Sequence, residues 1–425
     1  MAAATQFSAA AAAASVTGGA RRGSTKRRSV PALRATAAES APPAASAAAS
    51  SAKGGAYARE MEVAVDAVRM AGTLCQEVQA QLMRMDETAD TKDDKSLVTL
   101  ADYAAQAVIC WRISQDYPDF TMVGEEDSQA LTDGGEAGAL TLAKVTALVN
   151  KTLTYHKGAA TAPTLSTTDV VSLINKGSGT GGKGRHWILD PVDGTLGFVR
   201  GDQYAIALAM MEDGDLKIGV MGCPNMPKNG EVLEYDSSYT YGFSPRLVSK
   251  MLAGESLGWY KGCIFSAAKG GGAFMEPCDA GLKVPPQAVK VSAEFDPKMA
   301  KFTEPVMKAN SSQGFTAAVA DNLGIASKPL RLYSMVKYGS VARGDADVFM
   351  KFPKAGYKEK IWDHAAGVIV LEEAGGVVSD AGGAPLKWDQ GRFIEGLDRG
   401  IVATSATLHA RLMDAVSKSW ASSQL

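Results

Sequence analysis

The segment Asp190-Pro191-Val192-Asp193-Gly194-Thr195 carries two carboxylates three residues apart across a proline-constrained turn, directly after an apolar run ending at Leu189. Carboxylates at that spacing, with the Val192 carbonyl between them, can converge on one point. An oxygen-only set of this kind suits a hard divalent cation such as Mg²⁺, which uses few protein carboxylates and keeps several waters. Gly194 and Thr195 then supply backbone N–H groups that would open a helix and receive a phosphate. Asx-turn bonds made by the same two aspartates are the plain structural alternative.

Three further acidic positions sit where loops meet regular structure. Glu125-Glu126-Asp127 follows a short apolar strand, which brings clustered negative charge beside a core element, although a solvated acidic loop has the same pattern. Asp102 follows Thr99 by three residues, the spacing of a helix capping box. Asp363 precedes His364 and an apolar helical run, where it would serve equally as a plain N-cap. His364 has no second histidine near it, so packing or capping explains it better than metal ligation. The five cysteines, Cys75, Cys110, Cys223, Cys263 and Cys278, form no CxxC pair and have no histidine at ligand spacing, which argues against zinc.

The elements that must position these groups follow from periodicity. Apolar positions recurring at three and four residues from Met61 to Met85 predict one long amphipathic helix over 57–87. A second helix is expected from Thr99 to about Gln115, stopped by Pro118. A strand over 120–123 and a helix over 169–175 come next. Gly177, Gly179 and Gly182 spell GxGxxG, but they lie between a helix and a strand, the wrong order for a dinucleotide site, and read as a loop. A strand over 186–189 leads into the aspartate segment. An antiparallel hairpin pairs 204–211 with 216–221 around Asp213-Gly214. Residues 230–261 have the weakest periodicity. Strands at 263–267, 272–275, 329–333 and 348–352 alternate with helices at 314–323, from Val336 and from Asp363. The order predicts an α+β architecture, divided into an N-terminal α+β domain over 57–222 with most of the carboxylates and a C-terminal α/β domain over 223–425 with Asp363.

Composition narrows the function classes. With 44 Lys+Arg against 46 Asp+Glu the net charge is −2, so the whole chain offers no electrostatic case for nucleic-acid binding. No apolar run approaches the roughly 18 residues of a membrane span. Residues 1–36 hold Arg21, Arg22, Lys26, Arg27, Arg28 and Arg34 but no Asp or Glu, amid Ala, Ser and Gly. That is the composition of an organelle transit peptide, with a plain tail as the alternative. An Ala/Pro/Ser linker over 37–56 follows.

The stretches Trp187 to Arg200 and Trp362 to Gly376, together with Val98-Thr-Leu-Ala-Asp-Tyr103 and Val123-Gly-Glu-Glu-Asp127, resemble four ordered blocks of the inositol monophosphatase superfamily. Within it, Gly197 to Tyr204 and Tyr357 to His364 are most similar to the 3′(2′),5′-bisphosphate nucleotidases of plants and fungi. The resemblance runs from about Tyr57 to the C-terminus. It implies the layered αβαβα sandwich of the inositol monophosphatase and fructose-1,6-bisphosphatase type. It also implies two or three Mg²⁺ held by Glu125, Asp190, the Val192 carbonyl, Asp193 and Asp363, with Asp102 and Thr195 orienting and deprotonating the attacking water. Gly194, Thr195, Asn310, Ser334, Lys337, Lys351 and Asp363 would contact the substrate. That substrate would be adenosine 3′,5′-bisphosphate or its phosphosulfo analogue, a place in sulfur metabolism. An inositol phosphate phosphatase and a weakly catalytic nucleotide sensor are the alternatives.

The chain departs from the subgroup pattern at Lys351 (usually Arg), Asn310 (usually His), Leu196 (usually Lys) and Leu97 (usually Pro). None of these is an implied metal ligand. Cys223 ends the hairpin and Cys263 begins the next strand, so antiparallel neighbours would bring the two together; with cysteine placement similar to that of plant relatives this implies their redox pairing, with two buried free thiols as the alternative. Residues 1–36 fused to a fluorescent reporter are expected to direct it to the plastid stroma. Mitochondrial import is the alternative destination, and a cytosolic reporter would refute the transit assignment.

Overall fold

Alternation along one central strand sets the architecture. In the strand Ala205–Glu212, Ile206, Leu208 and Met210 face one apolar cluster, while Ala205, Ala207, Ala209 and Met211 face another. A strand buried on both faces must be covered on both, and the covering layers follow from the remaining elements. The computed structural model describes residues 55–85, 91–230, 259–294, 296–306, 311–354 and 356–422. The expected transit segment lies outside them, as does most of the linker.

The first layer holds α1 (Ala58–Met85), α2 (Thr91–Ser114) and α4 (Gly135–Lys157), with the short α3 (Gln129–Thr132) and α5 (Thr167–Asn175) beside them. A seven-stranded sheet comes next, in sequential order: β1 (Met122–Gly124), β2 (Arg185–Asp193), β3 (Ala205–Glu212), β4 (Asp215–Pro227), β5 (Lys261–Ala268), β6 (Gly272–Pro277) and β7 (Gln287–Val289). Among the described strands of this sheet, only β1 and β2 pair in parallel. The short α6 (Thr195–Val199) follows β2 directly. Behind the sheet lies a middle layer of α8 (Val336–Ala342) and α9 (Ala365–Glu373). Close packing there depends on small residues: a Cβ on Gly219 of β4 would lie 2.4 Å from Ile369 Cγ2 of α9. A five-stranded sheet follows, ordered β11 (Gly376–Asp380), β12 (Ile401–Ser405), β10 (Val348–Lys351), β8 (Phe302–Pro305) and β9 (Leu330–Leu332). Its far face packs on α7 (Gln313–Leu323) and α10 (Ala406–Ser422). These layers are the αβαβα sandwich.

Several boundaries differ from the expectations in instructive ways. The second helix begins at Thr91, not Thr99, because no Gly or Pro interrupts 91–98. Thr99 therefore stands in a helix interior, and the capping-box reading of Asp102 fails. The division expected at 222/223 falls inside β4, whose sheet continues to Val289. The 23-residue α4 was not anticipated; its buried Val145, Val149 and Leu153 do recur at four residues, but a Gly-rich start and many threonines obscure the pattern. The expected hairpin is present, with Asp213 at φ 51° and Gly214 at φ 82°, the left-handed pair that a two-residue turn between twisted strands requires. Residues 231–258, where periodicity was weakest, lie outside the described residues.

Candidate active site

The aspartate segment is not a loop after a strand but the end of the strand itself. Asp190 pairs with Ala207 and Asp193 with Ala205, so three steps along β2 match two along β3. One extra residue in the ladder is a β-bulge. In a regular strand residues three apart point to opposite faces; the bulge restores the two aspartates to one side, as their partners Ala205 and Ala207 are. Val192 is buried within it.

Neighbouring elements bring the other carboxylates to the same place. The Glu125 N–H donates to the Leu189 carbonyl at 3.2 Å, extending the parallel β1–β2 register past Gly124 and setting Glu125 beside Asp190. Gln106, fully buried and one helical turn after Asp102, clamps the acidic loop to α2. Its amide nitrogen donates to the Glu126 and Ile174 carbonyls, both at 2.7 Å, and its oxygen accepts from the Glu126 N–H at 3.2 Å. Arg392 fastens the far side, donating to the carbonyls of Gly124 (2.7 Å) and Gly179 (3.0 Å) while its guanidinium lies 4.6 Å from the Trp362 ring centre. Trp362 precedes Asp363, which ends the 3₁₀ turn Ile361–Asp363; His364, not Asp363, holds the N-cap position of α9, and makes no capping bond through its side chain. The plain N-cap reading of Asp363 therefore fails.

The electrostatics follow from this crowding. Burial, then the charges of Glu125, Asp193, Asp363 and Asp102, push the Asp190 carboxyl well above its ordinary range. Burial and Asp363 raise Asp193 to about 7, against the pull of Lys337, the Met335 N–H and Lys351. Asp102 is pushed well up by burial, Glu126 and Glu125, and Glu126 to about 7 by burial, Glu125 and Asp127. Asp363 is raised mainly by burial. Oδ1 of Asp190 is buried with no hydrogen-bond partner. Converging carboxylates with an orphaned buried oxygen fit a hard cation, which would relieve both the repulsion and the missing partner. At the rim, Lys360 Nζ stands 3.0 Å from Glu125.

A cavity of about 320 Å³ opens beside the aspartates. Its lining includes Asp193, Asp363, Gly194 and Thr195, the lysines Lys337 and Lys351, and the apolar Leu196, Pro305, Val306 and Tyr333. Two backbone strains shape it. Gly194 has φ 91°, and a Cβ there would lie 2.8 Å from Ser334 Cβ. Ser334 itself has φ 61°, a conformation that costs an L-residue about 1–2 kcal/mol. The Ser334 turn presents the Met335 N–H to the Asp193 carboxylate and its own carbonyl to Lys337. Burial lowers the Lys337 ammonium to about 8, although Asp193 opposes this.

Of the sequence-derived residues, Gly194, Thr195, Ser334, Lys337, Lys351 and Asp363 line the cavity with Asp193, while Asp190, Glu125 and Asp102 join through the carboxylate cluster. Asn310 lies outside the described residues. Cys223 and Cys263 are direct cross-strand partners, as antiparallel neighbours would be, yet both are buried free thiols and neither lines the cavity. Burial raises both thiols, which disfavours the thiolate that oxidation needs. Gln106 and Arg392 escaped sequence reasoning. A fully buried glutamine on an apolar helix face is a signal that could have been read; Arg392 had none.

Residues 57–421 match the inositol monophosphatase family along nearly the whole described chain. The chain belongs to that family. The 3′,5′-bisphosphate nucleotidase AHL of Arabidopsis thaliana is 45% identical over 378 residues, covering 86% of this chain and 98% of that protein. A 3′(2′),5′-bisphosphate nucleotidase of Oryza sativa is 40% identical, covering 86% and 95%, and one of Emericella nidulans is 37% identical, covering 85% and 99%.

The carboxylate cluster makes a prediction about this family member that needs no substrate. Asp193 and Glu126 titrate at about 7 in the fold but near 4 when unfolded. Between those values the folded protein holds more protons, so stability falls as pH rises. His156 and His409, lowered by burial, act in the opposite sense below about pH 6.5, and Lys337 does so near pH 8. The clean window is therefore about pH 6.5 to 7.5. Chelator-treated protein is expected to melt at a lower temperature at the upper end, and saturating Mg²⁺ to raise Tm more there than at the lower end. Calorimetric scans showing an equal or reversed Mg²⁺ effect would contradict the cluster.

Proposed function

We propose that the protein is a Mg²⁺-dependent phosphatase that removes the 3′-phosphate of adenosine 3′,5′-bisphosphate, or of its phosphosulfo analogue, within an organelle. The observation that carries this reading is the cavity's mixed lining: the carboxylates of Asp193 and Asp363, the ammonium groups of Lys337 and Lys351, and the apolar surface of Leu196, Pro305, Val306 and Tyr333. A substrate with one phosphate to cleave, a second to hold and a flat apolar body matches all three. The names of the relatives point the same way.

Glu125, Asp190, the Val192 carbonyl, Asp193 and Asp363 would hold the metal. Bound there, Mg²⁺ would neutralise phosphate oxygens, acidify a water and stabilise the leaving oxygen. The protein's own groups do the rest. The Gly194 and Thr195 amides receive the reacting phosphate. Asp102, once ionised, would accept the water proton, the burial and acidic neighbours that raise its carboxyl making that carboxylate more basic, with Thr195 orienting the water. Lys337 and Lys351 hold the phosphate that is not cleaved, and Tyr333 with Leu196 covers the nucleoside. No covalent enzyme intermediate is needed.

The test is a kinetic comparison of adenosine 3′,5′-bisphosphate with inositol 1-phosphate. Losing one charged contact costs about 1.5–3 kcal/mol, roughly 10- to 150-fold. Lys351→Ala is expected to lower the ratio of kcat/KM between the bisphosphate and the monophosphate by that factor. Asp193→Asn should bring turnover of both substrates close to the uncatalysed level while the protein still melts cooperatively. A wild-type preference for inositol 1-phosphate would replace the nucleotide reading with an inositol phosphate one. Nucleotide binding without phosphate release would mark a sensor.

A further inference from the structure

Lys351 does not hang free in the cavity. Its Nζ lies 2.6 Å from Oε2 of Glu359, and the same oxygen takes His364 Nε2 at 3.0 Å. His364 Nδ1 in turn meets the Tyr338 hydroxyl at 2.8 Å. Glu359 is 1% exposed, and its second oxygen, Oε1, is buried without a partner. Burial alone would raise this carboxyl, but His364 and Lys351 hold it down at about 2. Because an ionised carboxylate only accepts, Nε2 of His364 carries a proton toward Glu359, and Nδ1 shares a hydrogen bond with the Tyr338 hydroxyl.

Glu359, Asp363 and His364 bring donor atoms within 4.8 Å of one another, the spacing of a metal site. The hydrogen bonds argue otherwise. Both His364 nitrogens are engaged and Oε2 of Glu359 already has two donors, which leaves Oε1 as the one unengaged oxygen of Glu359. The trio's geometry is that of an anchor.

We propose that Glu359 is a positioning residue for second-phosphate recognition: it pins the Lys351 ammonium to the cavity wall, at the distance from the carboxylate cluster that the uncleaved phosphate requires. This rests on the reading that Lys351 binds that phosphate. A lysine ammonium is a point charge on a flexible four-carbon stem, so its location is set by whatever holds it. Asp363 is the other carboxylate that acts strongly on Lys351. Freed from Glu359, the ammonium would swing toward Asp363, neutralise a metal-holding group and vacate the phosphate position. His364, itself held by Tyr338, keeps Glu359 from following it, since its Nε2 bonds the carboxylate independently of Lys351.

The test uses the full chain with Mg²⁺ and two substrates that share a nucleoside, adenosine 3′,5′-bisphosphate and adenosine 3′-monophosphate. Glu359→Gln keeps shape and acceptor but removes the charge. It is expected to lower the bisphosphate-to-monophosphate ratio of kcat/KM roughly 10-fold, mainly through KM, and to add no further selectivity loss in a Lys351→Ala background. Glu359→Asp, which keeps the charge but withdraws it, should give the same selective pattern and serves if the glutamine variant does not fold. Equal losses on both substrates, or selectivity losses that multiply fully with Lys351→Ala, would overturn the proposal. A Lys351→Ala variant that is itself unselective would instead overturn the reading of Lys351. A selective Lys351→Ala beside an unselective Glu359→Gln would sink the role of Glu359 alone.

Discussion

Mutual repulsion among carboxylates is the constraint around which this molecule is arranged. Burial first, and then their charges on one another, raises the carboxyl groups of Asp190, Asp193, Asp102 and Asp363, with Glu125 among the charges that act. Such a cluster destabilises the fold that carries it, and it persists because the surrounding elements leave it no way to relax. The bulge in β2 sets two aspartates on one side. Gln106 binds the Glu125–Glu126 loop to α2, and Arg392 ties the same loop to the Trp362 turn. As the cation site proposed above, the cluster would store its affinity in this way, as unfavourable charge awaiting a partner.

The cationic residues follow the same logic at lower intensity. Lys360 faces Glu125, Lys337 faces Asp193, and Lys351 is shared between Glu359 and Asp363. Each faces a carboxylate, and Lys337 and Lys351 also line the cavity. Lys337 is the clearest case. Its ammonium is buried, donates to the backbone carbonyls of Leu332 and Ser334, and is lowered to about 8 despite Asp193 beside it. The left-handed Ser334 that makes this possible is strain placed where the site needs it.

Residue types and spacing carried a good deal of this. The aspartate pair with its Gly-Thr successor, the acidic triplet after a strand and the aspartate before an apolar helix were all readable, because each is a short local pattern with a definite chemistry. Resemblance to family blocks then joined them. Misreadings arose where a local rule met a longer element. Thr99 and Asp102 have capping-box spacing, yet the helix had already begun at Thr91, so the rule had no helix terminus to act on. Asp363 was open to an N-cap reading, yet a 3₁₀ turn precedes the helix and moves the cap to His364.

By itself the sequence determined the α+β class, most strands and helices, and the set of acidic groups that could share a cation, because periodicity and turn chemistry are local properties of the chain. Tertiary structure alone decided how those groups meet. Whether Asp190 and Asp193 point together depends on one extra residue in the β2–β3 ladder, which is a relation between two strands and leaves no mark on either. The clamps made by Gln106 and Arg392 reach across 20 and 268 residues, and the Tyr338–His364–Glu359–Lys351 chain forms only where α8, β10 and the turn before α9 close on one another. Hydrogen bonds and charges act over a few ångströms in space, and the sequence records distance only along the chain.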